Sequence, residues 1–432
     1  MDYTGSMKII QKLKHSIGLQ NPLRLSYHYL RWQLAYRLSG NPVKNMYVIG
    51  VTGTKGKTTT STLIARALEE SGRKIALLST AQVWIAGEKR ENQSKMTMDN
   101  PFRMWQLLKK AQKEGVTHLV LETSSHGIYY YRNFGIKYNA VLLTNISQDH
   151  LDLHKTMEHY AQTKARLFRR EPGKICILPK DCEYFSLFYE AASVGWNTKN
   201  IVTYSIKGPS NYYLKHLQAT ESGMDIGIKW PEEETLIQTL LQWIFNAENI
   251  LGAYALLRSI GISVQPIVRA WSDFTGVPGR LELVPNKHGI TVLVDYAHTE
   301  TSLRSVLETL KNKQKIVLVF GATGDRDTTK RPKMGAVAHE LADSIILTDD
   351  DTYTEPSERI IGMVKKGIPR TIGDTYQIIP DRREAIKWAL KHAKRWDIVL
   401  IAGKGCETAQ ITNNWPIPWS DRKVAEEILE TV

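Results

Sequence analysis

Val48-Ile49-Gly50-Val51-Thr52-Gly53-Thr54-Lys55-Gly56-Lys57-Thr58-Thr59-Thr60 runs from an apolar strand through a glycine-rich turn into a helical segment. Glycines let backbone N–H groups approach phosphate oxygens, and a helix starting just after them points its positive end the same way. Lys57 adds a mobile charge, and the Thr58 hydroxyl suits Mg²⁺. The stretch therefore predicts a triphosphate, ATP or GTP, held by Gly53, Thr54, Lys55, Gly56, Lys57, Thr58 and Thr59. A strict phosphate-binding loop (P-loop) would have glycine at 51, where Val51 stands, so the match is to a shorter variant built on Gly50 and Gly53. A chance glycine turn is the competing reading. Strand, turn, Gly-Lys-Thr and helix in the required order speak against it.

Outward from this stretch, apolar strands alternate with helices: Tyr47–Val51, the helix after Lys57, Ile75–Leu78, a helix over Pro101–Gly115, Thr117–Glu122, Ala140–Thr144 and the helix Met157–Phe168. Such alternation implies an α/β domain with a mostly parallel sheet, and it puts catalytic groups at the carboxyl ends of the strands. Glu122 ends one strand and is followed by Thr123-Ser124-Ser125-His126; Asn145 and then His150 follow another. Residues near Pro209–Pro231 read as shorter strands and turns, and a helix resumes near Phe245-Asn246. Gly276-Val277-Pro278-Gly279 reads as a domain boundary. A second alternating region follows, with strands at Ile290–Asp295, Ile316–Phe320, Ser344–Thr348 and Ile398–Ile401, and a last helix over Asp421–Leu429. The expected division is 1–45, a short helical N-terminal segment; 46–276, a P-loop central domain; and 277–432, a C-terminal Rossmann-like α/β domain.

The 432 residues suffice for roughly two or three domains. Cys176, Cys182 and Cys406 show no metal-binding spacing, which argues for a reducing compartment. No apolar stretch approaches the roughly 18 residues of a membrane span, so the expected location is cytoplasmic. The net charge of +13 fits nucleic acid, an anionic membrane surface or an anionic substrate. Its basic residues are scattered and no recognisable nucleic-acid module appears, so no nucleic-acid partner is expected. Residues 23–38 carry Tyr27, Leu30, Leu34 and Leu38 at helical spacing among basic residues. The favoured reading packs this amphipathic helix on the next domain; the other lays it on a membrane surface. Gly5-Ser6-Met7 resembles a cloning scar before a start at Met7, and residues 1–6 are set aside.

Taken together, Gly-Thr-Lys-Gly-Lys-Thr-Thr, Glu-Thr-Ser-Ser-His, Thr-Asn-Ile-Ser-Gln-Asp-His-Leu-Asp, Lys164 in Thr-Lys-Ala-Arg-Leu-Phe, Phe-Asn-Ala-Glu-Asn, Val-Pro-Gly-Arg, Asp-Tyr-Ala-His-Thr, Gly-Asp-Arg-Asp and Gly-Lys-Gly resemble the Mur ligase family, from about Met46 to the C-terminus. Within it they resemble the branch that adds a third amino acid to UDP-N-acetylmuramoyl-dipeptide. The resemblance implies an ATP-dependent, Mg²⁺-dependent ligase in which a substrate carboxylate takes the γ-phosphoryl group and an amine displaces it. The partners are then a nucleotide-linked peptide and an amino acid.

By the same resemblance, Thr58 and Glu122 hold a first Mg²⁺, and His150 and a carbamylated Lys164 lie at a second. An unmodified, solvated Lys164 is the plain alternative. Asn246 and Asn249 fall near the adenine, Arg280 reaches the phosphates, and Asp295, beside Tyr296 and His298, holds the ribose. Thr97 falls to the acceptor and Ser124 and Ser125 to the substrate; His126 ranks below Glu122 and reads equally as a structural histidine. Asp325, Arg326, Lys330 and Arg331 form either a functional loop or a solvated turn. A nucleotide pocket shared by the two domains implies closure of one on the other.

Three departures qualify this. The region before Met46 is far shorter than the family's uridine-binding domain. Diaminopimelate-adding relatives carry Asp-Asn-Pro-Arg, whose arginine grips the distal carboxylate; here the stretch is Asp350-Asp351-Thr352-Tyr353, with Tyr353 in place of that arginine, which disfavours diaminopimelate. With Asp349 and Glu407 it would suit the side-chain ammonium of lysine or ornithine, or these carboxylates face water. Gly403-Lys404-Gly405-Cys406-Glu407 has cysteine where the family has histidine. The competing functions are a folylpolyglutamate- or cyanophycin-type ligase, an amidotransferase partner subunit, whose zinc-binding cysteine set three dispersed cysteines cannot supply, and a nucleotide-binding module without catalysis.

Overall fold

The computed structural model describes residues 20–431 apart from 93, 95, 99, 170–172, 194–197, 221–222, 232, 312–313 and 414. The scar-like start at residues 1–7 and Asp99 of the Thr97–Pro101 loop lie outside the described residues. The chain forms two compact units, one ending at Phe274 and the other beginning at Thr275.

The first unit opens with helix α1 (Pro22–Ser39), whose boundaries follow from local chemistry. The Asn21 side chain accepts from the Leu23 N–H, Pro22 occupies the first turn, and Gly40 closes the helix at φ +70°. Strand β1 (Tyr47–Thr52) feeds α2 (Lys57–Glu70); then come β2 (Ile75–Leu78), the hairpin β3 (Gln82–Ile85) and β4 (Glu88–Glu91), α3 (Pro101–Lys113), β5 (His118–Glu122), α4 (Ser125–Tyr129) and β6 (Ala140–Leu143). Helices α5 (Leu151–His154) and α6 (Met157–Ala165) lead through a 3₁₀ turn to β7 (Ile175–Pro179), α7 (Phe185–Ser193), β8 (Ile201–Ser205), β9 (Tyr212–Ala219), β10 (Met224–Trp230) and β11 (Glu233–Thr239). Helices α8 (Ile244–Ser259) and α9 (Val264–Ser272) close the unit.

These strands make one sheet in the order β11-β10-β9-β8-β7-β6-β1-β5-β2-β3-β4. The strands from β9 to β2 run parallel, and antiparallel pairs extend both edges. Buried on both faces, β1, β2, β5 and β6 are apolar almost without interruption. β11 instead alternates, burying Thr235, Ile237 and Thr239. The region near Pro209–Pro231 is thus more regular than a string of short strands and turns, because β9–β11 continue the main sheet.

Helix α1 packs on this unit, but through a different face from the one its sequence advertises. Trp32, Ala35 and Ser39 are buried, and Tyr36 lies against Trp105 and Phe134. Tyr27, Leu30, Leu34 and Leu38 point outward. The helix has two apolar sides, and the one carrying Trp32 and Tyr36 faces the core.

The second unit has β12 (Glu282–Val284), β13 (Thr291–Asp295), α10 (Glu300–Leu310), β14 (Ile316–Phe320), α11 (Lys330–Leu341), β15 (Ser344–Leu347), α12 (Ser357–Lys365), β16 (Tyr376–Ile378), α13 (Arg382–His392), β17 (Ile398–Ala402), the hairpin β18 (Ala409–Thr412) and β19 (Trp415–Pro418), and α14 (Asp421–Leu429). Its sheet runs β12-β13-β17-β14-β15-β16, with only β12 antiparallel to its neighbour. Valines, isoleucines and alanines of these strands and of α13 and α14 form its core. Among the described residues no helix is long and apolar enough to cross a membrane.

Candidate active site

The site of the first unit stands where β1 ends between β5 and β6. Val51 pairs with Glu122 and Thr52 with Leu143, so the register alone brings Glu122 and the Thr144-Asn145 corner to the turn after β1. That turn needs its glycines. Gly53 has φ +149°, and a Cβ there would lie 1.9 Å from Thr144 Oγ1; Gly56 has φ +76°, and a Cβ would meet Asn249 Oδ1 at 2.0 Å. Asn145 holds the turn from outside: its carbonyl accepts from the Thr54 N–H at 2.9 Å and its Oδ1 from the Lys55 N–H at 2.9 Å. Helix α2 has no side-chain cap, leaving its first N–H groups for an anion. Lys57 Nζ donates to the Thr54 carbonyl at 2.7 Å.

Glu122 is buried. Its Oε2 accepts from Thr58 Oγ1 at 3.0 Å and from the Thr80 N–H at 2.9 Å, and its Oε1 accepts from Thr80 Oγ1 at 3.0 Å. These donors are neutral and orient the carboxylate without cancelling its charge. A hydroxyl and a carboxylate so placed fit a hard divalent cation with oxygen ligands. Thr80 Oγ1 in turn lies 2.7 Å from Thr97 Oγ1, which ties the expected acceptor-binding threonine to the expected metal carboxylate.

Lys164 is buried on α6, with Nζ donating to the Gly53 carbonyl at 2.7 Å and lying 4.7 Å from the centre of the Tyr160 ring. It is not the solvated helix lysine of the plain alternative. Burial first, and then the nearby Lys57, push its pKa well below the usual lysine range. Tyr160 also contacts the His150 ring, centroids 6.3 Å apart, and its hydroxyl lies 3.1 Å from Thr54 Oγ1. His150 sits in the left-handed region at φ +53°, with Nε2 3.5 Å from Asp149 Oδ2. Its ring is 4.5 Å from that of His126, whose pKa burial lowers to about 3, with His150, His154, Arg132 and Lys164 adding to the effect. His126 is therefore a neutral ring in this cluster at physiological pH.

The other expected residues of this unit divide. Asn249 Nδ2 donates to Asn246 Oδ1 at 3.1 Å and Thr60 Oγ1 to Asn249 Oδ1 at 3.4 Å, which brings the asparagine pair of α8 against α2. Ser124 caps α4 by accepting from the Gly127 N–H at 3.1 Å. Ser125 Oγ is buried and has no hydrogen-bond partner among the described residues.

In the second unit Asp295 ends β13. Its Oδ2 accepts from the Leu281 N–H and its Oδ1 from the Ala297 N–H, both at 2.8 Å. Burial raises its pKa, against the pull of Arg280. Arg280 lies over the Tyr296 ring at 5.2 Å, and His298 bonds back to the Tyr296 carbonyl at 2.8 Å. Arg331 is fully buried and grips Glu355 through two parallel bonds of 2.8 and 2.6 Å, while Asp325, Arg326 and Asp327 are exposed. Asp325, though exposed, accepts from the Thr354 N–H at 3.0 Å and Thr354 Oγ1 at 2.7 Å, so the Asp325–Arg331 loop is held at both ends and only its middle is a solvated turn.

The acidic cluster differs from expectation. Lys404 is buried, and its Nζ donates to Asp351 Oδ1 at 2.7 Å and Glu407 Oε2 at 2.8 Å, with Asp350 Oδ1 at 3.8 Å. Burial alone would raise the Asp350 carboxyl, but Lys404 and Arg382 outweigh it and hold it below the usual range. Asp350 and Asp351 therefore neither face water nor await a substrate ammonium: the chain supplies the ammonium itself. Gly403, at φ +114°, is needed beside them, since a Cβ would stand 2.6 Å from Asp350 Oδ2. Tyr353 adopts φ +51°, bridges to Thr412, and lies under the Arg326 guanidinium at 5.0 Å.

Residues 51–257 match the Mur ligase middle domain, and residues 279–405 match the Mur ligase glutamate ligase domain. Over 399 residues the chain is 35% identical to the UDP-N-acetylmuramoyl-L-alanyl-D-glutamate–2,6-diaminopimelate ligase of Caldanaerobacter subterraneus, covering 92% of this chain and 81% of that one. The chain belongs to the Mur ligase family. It is an ATP-dependent acid–amino-acid ligase of that family. A solved structure of a ligase with the same substrate name superposes with a TM-score of 0.63 at 32% identity, over 93% of this chain and 82% of that one. Folylpolyglutamate synthase of Mycobacterium tuberculosis superposes with a TM-score of 0.67 at 18% identity, over 93% of this chain and 96% of that one, a likeness of fold.

Several residues of this Mur ligase's site escaped the sequence reading. Thr80 lies in a loop without a motif, and only the sheet brings it to Glu122. Tyr160 is one helical turn before Lys164, a spacing that could have marked it. Arg132 donates to the Met98 carbonyl at 2.7 Å and so holds the Thr97 loop. Lys404 stood inside a quoted motif, but its role depends on three carboxylates brought together by folding.

Proposed function

We propose that this Mur ligase joins a carboxylate of a UDP-N-acetylmuramoyl-dipeptide-like peptidoglycan precursor to an amino acid, through an acyl phosphate formed at the expense of ATP with Mg²⁺ as cofactor, in the cytoplasm. The observation that carries this reading is the chain of contacts Thr58–Glu122–Thr80–Thr97, which joins the phosphate turn to the expected acceptor loop. On this reading the turn from Gly53 to Thr59 holds the triphosphate, and Thr58 and Glu122 hold Mg²⁺, which supplies charge neutralisation when bound. Asn246, Asn249, Arg280 and Asp295 serve the nucleotide, and Thr97, Ser124 and Ser125 the acceptor.

Lys164 completes the metal ligands with His150 after reaction with CO₂. The neutral amine adds to the carbon of CO₂ and releases a proton, giving an anionic carbamate whose oxygens would suit Mg²⁺. The lowered pKa of Lys164 supplies that neutral amine.

The amino acid is read by Tyr353 and Gly403, since Glu407 is engaged by Lys404 like Asp351. With Asp350 and Asp351 engaged by Lys404, the ground for lysine or ornithine falls away. The relatives' name and the Arg326 guanidinium over Tyr353 favour diaminopimelate, whose distal carboxylate a guanidinium can receive.

The test is phosphate release from ATP across a matrix of UDP-N-acetylmuramoyl-dipeptide or a folate acceptor against diaminopimelate, lysine, ornithine and glutamate, with mass detection of product. Release that needs the muramoyl dipeptide and diaminopimelate, with the matching tripeptide, is the expected result. Release with folate and glutamate would replace this reading by the folylpolyglutamate type.

A further inference from the structure

The outward face of α1 is unusual for a helix packed on its own domain. Leu23, Tyr27, Leu30, Leu34 and Leu38 are 75%, 49%, 60%, 52% and 65% exposed. At about 100° per residue these five fall within about 80° of arc, and at about 1.5 Å per residue they run some 22 Å along the helix. Scattered exposed leucines need no explanation; a contiguous stripe does. The stripe is also not what holds the helix in place, since Trp32, Ala35, Tyr36 and Ser39 on the other side do that.

Charge decides what the stripe suits. Pro22–Ser39 contains no Asp or Glu. Arg24 and Arg31 fall to one side of the stripe and Arg37 to the other, at the same angular count. Arg31 lies over the Tyr27 ring at 5.3 Å, its charge directly at the stripe's border. Lys109 of α3, itself exposed, donates to the Leu38 carbonyl at 3.2 Å and adds a cation at the helix end. An exposed apolar stripe edged by cations on both sides matches the acyl–headgroup boundary of an anionic bilayer: leucines enter the acyl region while arginines reach phosphate.

We propose that this face of α1 docks the protein on the surface of an anionic lipid bilayer, with the helix lying in the plane of the membrane. Each border arginine contributes attraction that salt screens, and each leucine contributes apolar area that salt does not. The inference rests on the helix alone and does not depend on which reaction the protein catalyses.

Flotation of the full chain with vesicles of phosphatidylcholine alone, or containing phosphatidylglycerol, tests it. The expected result is at least ~10-fold stronger partitioning onto the anionic vesicles, weakened by salt. Arg31→Gln and Arg37→Gln should each weaken it about 5-fold. Leu30→Glu with Leu34→Glu should abolish it while the melting temperature and ATP turnover in solution stay unchanged. Absence of binding, or binding indifferent to the leucine changes, overturns the proposal. So does a fall in melting temperature in the leucine variant, which would show the stripe covered by the protein's own chain. Concentration-dependent self-association lost in that variant, without vesicle binding, would assign the face to a second copy and equally overturn it.

Discussion

Two clusters of buried charge, one in each unit, are built on opposite principles. Around the phosphate turn, Glu122 is held by hydroxyl and amide donors, and Lys164 is held by a carbonyl, with Lys57 near enough to lower its pKa. The hydrogen bonds described to Glu122 and Lys164 are with neutral groups. Around Lys404, three carboxylates meet one ammonium, and a second cation, Arg382, pairs with Asp421 through two bonds of 2.8 and 2.7 Å. The first arrangement keeps its charges oriented and available to a ligand; the second neutralises them internally and holds a loop. In this protein the cluster with neutral partners is the candidate site, and the one with opposite partners is held together by its own ion pairs.

That contrast can be broken most forcefully at Lys404. Lys404→Met leaves buried carboxylates unmatched, and loss of one partner of a buried ion pair costs about 3–5 kcal/mol. Chemical denaturation should show the second unit melting early. At Lys164 the opposite holds: Lys164→Ala removes a poorly solvated amine whose pKa is already depressed, so the melting temperature should hold while turnover falls by about 10²–10³ or more. Mass spectrometry should show one added CO₂ on the wild-type peptide containing Lys164 and none on the variant; surviving turnover would remove the carbamate from the reading. Gly56→Ala sits between them. Its left-handed φ costs roughly 1–2 kcal/mol, and the Asn249 side chain must move, so ATP binding measured by calorimetry should weaken more than stability does.

Acid should separate the units as well. The Arg331 fork lowers the Glu355 carboxyl to about 2, against an unfolded value of about 4.3. Its contribution is present above about pH 4.3 and is lost as pH falls towards 2. The second unit should therefore lose stability through that window, and Arg331→Met should flatten the loss. The smallest effect is expected at the surface. Arg304 makes two bonds to Glu340 at 2.9 and 2.7 Å, but both side chains are solvated, so Arg304→Ala should cost less than about 1 kcal/mol. A cost comparable to that of Lys404→Met would erase the distinction drawn between buried and exposed pairs.

What could be read ahead of folding followed from local rules. The strand–turn–helix at Val48–Thr60 is specified by apolar run, glycine and lysine spacing, so its strand, tight turn and helix were legible residue by residue. Glu122, Asn145 and Lys164 could be placed at strand ends and on a helix because they sit in motifs with fixed spacing. The same reading failed where two local patterns compete. In α1 both faces are apolar, and periodicity finds the leucine stripe without telling which side the domain takes. It also failed for Asp350 and Asp351, since a run of carboxylates says nothing of the ammonium that answers it.

The two α/β sheets, the glycine turn after β1 and the family were already written in the sequence, because these rest on period, propensity and contiguous motif, all local along the chain. Only the tertiary structure decided which carboxylates are neutralised, which threonines join Glu122 and which face of α1 stays in water. Charge pairing, desolvation and packing depend on distance in space, and residues as far apart in sequence as Asp351 and Lys404, or Thr58 and Glu122, become neighbours only when the sheets close.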